Sequence, residues 1–380
     1  MAYMVRIPLL CVVVLTATEA HTAPGPREPA FNESELIAAA TLTFPAGDTP
    51  FVPSSEDAFG LDAEMQAFVA GVAGIRDSRE KLAALLKGME QRGLFSLDYA
   101  ETTRTVSATF HDRQGNCLSF TMLLVTLARA AGLTASYQRV PVPPTWSNDG
   151  QVVIANHVNA VIRTAQGEET IVDFNIRDYE RPQGGRRVSD GYALGLFYTN
   201  IGAEALLRGE YAASLAHLQE AARVYPNMPG VWVNLGVLYG RSGLYDYAEA
   251  AYLRALQADS GEQSALANLV VVYTAIGEPE LAQVYRERVQ SYRARNPYYH
   301  YALAAQAYEQ QRHEDALAAL RKALRLKQDE HQFYTLRGRV LEALGRRRGV
   351  AESFERARHY AAAEAARSQE RVQLDALAAR

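Results

Sequence analysis

The sequence predicts an α+β domain followed by an all-α solenoid of helical hairpins. Three observations point there. The chain has 380 residues, more than one compact core usually holds. Residues 60–193 combine an apolar helix with short β-branched runs set between turn residues. From Leu194 onward, residue types recur with a 34-residue period. The composition, 48% hydrophobic and 22% charged, is that of a globular chain and argues against disorder. A net charge of −4 argues against a nucleic-acid binder working by bulk charge. Two cysteines exclude a disulfide-dense scaffold and a cysteine-rich zinc module. The balance hides an asymmetry, because residues 286–380 carry 19 Lys and Arg against 12 Asp and Glu.

Residues 1–20 read as a secretory signal peptide. Arg6 precedes an apolar run over 7–17, and Thr18-Glu19-Ala20 supplies the small-x-small cleavage pattern. The run is shorter than the roughly 20 residues a membrane span needs. The chain is therefore expected to be exported, with no transmembrane span after cleavage. Lipid anchoring at Cys11 is the less favoured route. Leu10 stands where lipoprotein signals carry a small residue, and the apolar run continues past the cysteine. Cleavage near Ala20 leaves Cys117 as the single thiol, so no intramolecular disulfide can form.

Residues 21–59, rich in Pro, Ala and Thr, read as a linker or extended arm. A helix is expected over 61–92, opened by Asp62-Ala63-Glu64 and stopped at Gly93. A second helix, 118–131, ends at Gly132. Strand-like runs follow at 135–142, 151–154, 158–163 and 170–174, separated by loops that include Pro143-Pro144 and Asn148-Asp149-Gly150. Trp146, in one of these loops, could line a cleft or anchor the loop.

In the repeating half, Trp232, Leu235, Gly236, Tyr239, Gly243, Ala248, Tyr252 and Ala255 take positions 4, 7, 8, 11, 15, 20, 24 and 27 of the 34-residue unit. Equivalent residue types recur one unit earlier and three units later without an insertion. Small residues at positions 8 and 20 let two helices approach closely, and large ones at 4, 7, 11 and 24 fill the gaps. The pattern resembles a tetratricopeptide repeat array of five units over 194–363, with a polar capping helix over 364–380.

The chemistry-bearing residues lie in the α+β part. Gln114-Gly115-Asn116-Cys117 opens an apolar helix, so Cys117 sits where free backbone N–H groups and the helix dipole favour an anion. The same N–H groups can stabilise an oxyanion, and Gln114 offers a further donor. A thiol nucleophile needs a base and a group to orient that base. His157 begins one strand and Asp173 lies in the next, so antiparallel pairing can set them side by side. Taken singly, Cys117 could be a core residue, and the three side chains could hold a metal by ligand type. Their order and placement favour a nucleophile, base and orienter, with no metal or cofactor.

Order, spacing and context over about 105–175 resemble the transglutaminase-like branch of the papain-like superfamily. The most specific parts are Gly115-Asn116-Cys117-Leu118-Ser119-Phe120 and Ala128-Arg129-Ala130-Ala131-Gly132-Leu133. The resemblance implies that Cys117 is the nucleophile, His157 general base and then acid, and Asp173 the orienter. More narrowly, the chain resembles bacterial exported proteins that carry this domain before tetratricopeptide repeats, which implies a Gram-negative periplasm. One departure is Val158-Asn159, where Ala-Trp often follows the histidine.

The expected function is acyl transfer at an amide through a thioester, by a peptidase, amidase or transglutaminase whose repeats recruit a protein substrate or partner. The alternative is a non-catalytic interaction protein with a vestigial site. The groove of the repeats is expected to bind an extended protein or peptide segment. Asn200, Asn234 and Asn268 share position 6 of successive units and can bond a peptide backbone. Tyr298, Tyr301 and Tyr308 in the fourth unit, and Arg339 in the fifth, supply aromatic and cationic anchors.

Overall fold

The computed structural model describes residues 28–43, 50–94, 98–99, 102–140, 145–146, 152–153, 157–165, 167–173 and 185–368. The signal peptide expected at 1–20, with Cys11, lies outside these residues.

The segment read as an extended arm folds in its described part. It holds α1 (Glu33–Thr43) and α2 (Ser55–Phe59). The second is closed at its start by a capping box between Ser54 and Asp57. Leu36 of α1 is fully buried against the repeats, which explains how a short helix of weak periodicity stays folded. The single helix expected over 61–92 is two, α3 (Ala63–Ala73) and α4 (Ser78–Gln91). Asp77 makes the break by accepting from the N–H groups of Arg79 and Glu80, both at 2.9 Å.

Then come β1 (Asp98–Tyr99), α5 (Val106–Asp112), β2 (Gln114–Gly115) and α6 (Cys117–Ala130). Six strands follow, β3 (Thr134–Val140), β4 (Thr145–Trp146), β5 (Val152–Val153), β6 (His157–Arg163), β7 (Glu169–Val172) and β8 (Arg186–Val188). Four of them form an antiparallel sheet in the order β7-β6-β3-β8. α6 lies across β6 and β3. Its apolar side chains, among them Leu118, Met122, Leu123 and Leu127, are buried between the sheet and the surrounding helices.

The rest is helical: α7 (Asp190–Leu207), α8 (Tyr211–Val224), α9 (Pro229–Arg241), α10 (Tyr245–Ala258), α11 (Gln263–Ala275), α12 (Pro279–Arg295), α13 (Pro297–Glu309), α14 (His313–Leu326), α15 (His331–Ala343) and α16 (Val350–Ser368). They pair as five successive hairpins. In three of the five pairs a glycine at position 8, Gly202, Gly236 or Gly338, permits the close approach. A Cβ on Gly236 would lie 2.5 Å from the Tyr252 ring. Position 15 turns the chain with a left-handed residue, glycine in four hairpins but Gln311, φ 60°, in the fourth. α16 runs unbroken through 364–368, so these residues of the expected capping helix continue the last hairpin; 369–380 lie outside the described residues.

One hydrophobic core runs from Leu36 through α6 and the first three hairpins to Tyr285. A second core, from Ala304 to Leu341, belongs to the last two hairpins. Among the described residues, no helix is long and apolar enough to cross a membrane.

Candidate active site

The start of α6 is fixed by side chains that precede and follow Cys117. Asn116 caps the helix by accepting from the Ser119 N–H at 3.0 Å, and its amide donates to the Thr103 hydroxyl at 2.7 Å. The Ser119 hydroxyl donates to Asn116 at 3.1 Å and accepts from the Arg104 N–H at 2.9 Å. Gly115 is required by space, since a Cβ there would lie 2.8 Å from that of Ser119. The Gln114 side-chain oxygen accepts from Arg104 at 3.2 Å. The network reaches the repeats, because the Thr103 N–H donates to Glu204 of α7 at 2.8 Å. Burial pushes the Glu204 carboxyl up, and the bonds from Thr103 oppose it.

Cys117, a free half-buried thiol, is the first residue of α6. His157 opens β6 and is almost wholly buried, and Asp173 directly follows β7. The His157 Nε2 lies 2.8 Å from both carboxylate oxygens of Asp173. The Cys117 side chain lies near enough to the imidazole to favour its charged form. The structure thus brings Cys117, His157 and Asp173 together. Burial disfavours the imidazolium, but Asp173 and then Cys117 outweigh it and raise His157 to about 9. A protonated ring between a carboxylate and a sulfur is an arrangement able to hold a thiolate and later to give up a proton.

Two further side chains build the site and were not singled out as positioning groups from sequence. Asn159, fully buried, donates to Asp173 at 3.1 Å. It lies two residues after His157, on the same face of β6, and β6 pairs with β7 so that the residue beside it is Asp173. That spacing was the available signal. The Thr121 hydroxyl sits between the carbonyl oxygens of Cys117 at 2.8 Å and Val158 at 3.1 Å, tying the helix that carries the thiol to the strand that carries the histidine.

Asn200, Asn234 and Asn268 fall at matching places on α7, α9 and α11, each half-buried. The aromatic anchors are occupied by packing. Tyr298 donates to Glu330 at 2.7 Å and meets Phe333 edge-on, and Tyr301 stacks on the same ring at 5.1 Å between centroids. Tyr308 lies beside His313 at 5.5 Å, and Arg339 is exposed.

The tetratricopeptide repeat family profile matches residues 229–261, which span α9 and α10. Among solved structures, the chain is similar to MamA from residue 41 onward of Desulfovibrio magneticus RS-1. The two are 22% identical over 46% of this chain and 97% of that one, with a TM-score of 0.26. It is also similar to YrrB, described as a TPR protein with an unusual peptide-binding site. That pair is 16% identical over 44% of this chain and 86% of that one, with a TM-score of 0.25. At this overlap neither carries a functional argument. No curated protein matches the chain. The C-terminal part is a solenoid of the tetratricopeptide type, a fold that serves protein interaction.

Proposed function

We propose that the protein is a thiol-dependent acyl-transfer enzyme of the transglutaminase-like kind, acting on an amide of a protein or peptide that the repeats recruit. The observation that carries the reading is the placement of one imidazole, with Nε2 at 2.8 Å from both oxygens of Asp173, beside a thiol at a helix start. With Nε2 turned to the carboxylate, Nδ1 is the nitrogen that serves the sulfur. The Cys117 thiolate attacks the amide carbonyl and forms an Sγ–C bond. The resulting oxyanion faces the N–H groups of Cys117 and Leu118, since the Ser119 N–H is taken by the Asn116 cap. His157 gives its proton to the departing nitrogen as the C–N bond breaks, which leaves a thioester. Water or an amine then attacks the thioester, its proton passes to His157, and the Sγ–C bond breaks.

The decisive experiment is to trap an acyl adduct on Cys117 and identify it by mass spectrometry, with His157→Ala as control. An adduct on the parent and none on the variant supports the enzyme. A second reading, an interaction protein with an inert site, is favoured by the repeat profile at 229–261. Alkylation by iodoacetamide at pH 6 separates the two. Fast labelling of Cys117 marks an activated thiolate, whereas a rate like that of a free thiol of pKa about 8.5 supports the scaffold. We also infer export, with residues 1–20 removed. Intact mass of the mature protein tests this, and a retained N-terminus or a lipid on Cys11 overturns it.

A further inference from the structure

The junction between the first and second hairpins is occupied by α1. Gln219 donates to the Ile37 carbonyl at 3.0 Å, and the Tyr239 hydroxyl donates to that of Leu36. Arg254 lies over the Trp232 ring, 5.5 Å from its centroid, and pairs with Glu33 of α1. The chain thus uses this inter-hairpin face to hold a short helix by an apolar residue, its backbone carbonyls and one glutamate.

Three units further on, the same face recurs, and among the described residues no helix lies on it. Arg356 stands where Arg254 does and lies over Tyr334, the counterpart of Trp232, at 5.7 Å. Leu341 replaces Tyr239, and Arg321 replaces Gln219. Here the face forms a cavity of about 560 Å³ with an apolar floor that includes Leu317 and Leu324. Five arginines line it, Arg321, Arg325, Arg337, Arg346 and Arg356, and among the described residues none that lines it is acidic. Arg346 pairs with Glu314 and Arg356 with Glu352. Among the described residues, Arg321, Arg325 and Arg337 have no carboxylate partner. Arg337 also breaks the repeat rule. It occupies position 7, held by Ile201, Leu235, Leu269 and Leu303 in the other units. Folding does not call for a half-buried guanidinium there, and collecting like charges costs stability, whereas an acidic ligand would make use of both.

We propose that the junction of the fourth and fifth hairpins is a docking groove for an acidic, amphipathic helical segment of a partner protein, bound in the manner of α1. The apolar face of the segment meets Leu317, Leu324 and Leu341, and its carboxylates meet the unpaired arginines. The proposal is independent of the chemistry at Cys117.

The test uses the full mature chain and a fluorescein-labelled peptide of residues 29–43 carrying Ser34→Glu and Ala38→Glu, two exposed positions of α1. Fluorescence anisotropy should show saturable binding that weakens with salt. The double variant Arg321→Gln, Arg337→Leu installs the residue types that other units carry at those positions. It should bind at least tenfold more weakly while melting no lower than the parent. Should it fail to fold, Arg325→Gln, at an exposed residue, is read in its place. Undiminished binding by the folded variant would locate the peptide elsewhere, including on the α1 site, and overturn the proposal. So would equal binding of a scrambled peptide of the same composition, or of one with its glutamates changed to glutamine.

Discussion

Replacing Asp173 by asparagine removes one negative charge from beside an imidazole that is 2% exposed, while the carboxylate itself is 16% exposed. Solvent therefore screens little of their interaction. In the parent, His157 is raised from 6.5 to about 9, with burial working against the shift and Asp173 the largest contribution in its favour. At about 1.4 kcal/mol per pH unit, the protonated ring stabilises the fold by roughly 3 kcal/mol. The folded value is the higher one, so this stabilisation is fully present below about pH 6.5 and is lost as pH rises through about 9. In Asp173→Asn the burial that disfavours the imidazolium remains, and of the two groups that overcame it the larger contributor is gone while Cys117 stays. The midpoint should fall by two units or more, and most of the alkaline loss of stability should disappear with it. The assay is a pH titration of the imidazole Cε1–H resonance in histidine-labelled protein, with His157→Gln giving the assignment. Urea unfolding at several pH values runs alongside. A parent midpoint at or below 6.5, or a variant that titrates with the parent, would refute the coupling.

Asn159→Leu leaves the Asp173 carboxylate short of a buried donor. It should cost about 1.5–3 kcal/mol in urea unfolding and slow alkylation of Cys117 at pH 6, and an unchanged stability would remove Asn159 from the site. Gln311→Gly relieves a left-handed residue at the turn of the fourth hairpin and should add about 0.5–1 kcal/mol; a loss would mean that the side chain is needed there. Gly236→Ala drives a methyl into the Tyr252 ring and should cost about 1–3 kcal/mol, read from the thermal midpoint. A neutral result would show that the second hairpin has room to part.

The repeats were legible because their packing rule is written at fixed covalent spacing. Gly202 with Leu218, Gly236 with Tyr252 and Gly338 with Phe354 all meet at the same 16-residue spacing. The start of α6 was legible for a related reason, since Gly115, Asn116 and Cys117 are local and the cap acts over three residues. The break at Asp77 carries a local signal, Gly74 and the polar run 76–81, but the helical apolar patterns on either side of it read together as one helix. α1 was hidden because contacts hold it rather than propensity. Its partners Gln219, Tyr239 and Arg254 lie some two hundred residues away. β8 offers only Arg186-Arg187-Val188, with no alternation to read. The role of Asn159 needed the strand register, which a single sequence leaves open.

The division between the two hydrophobic clusters falls at Asn296, which ends α12 and caps α13 by accepting from the N–H groups of Tyr298 and Tyr299. Because neighbouring units share burial only where their apolar surfaces merge, cooperativity should stop at this residue. Heating would then melt the last two hairpins as a separate unit, before the part that holds Cys117. Backbone amides of α13–α16 would exchange with solvent through openings that leave α6 and β6 protected. A protein arranged in this way can loosen its arginine-rich end while the thiol, imidazole and carboxylate keep their geometry.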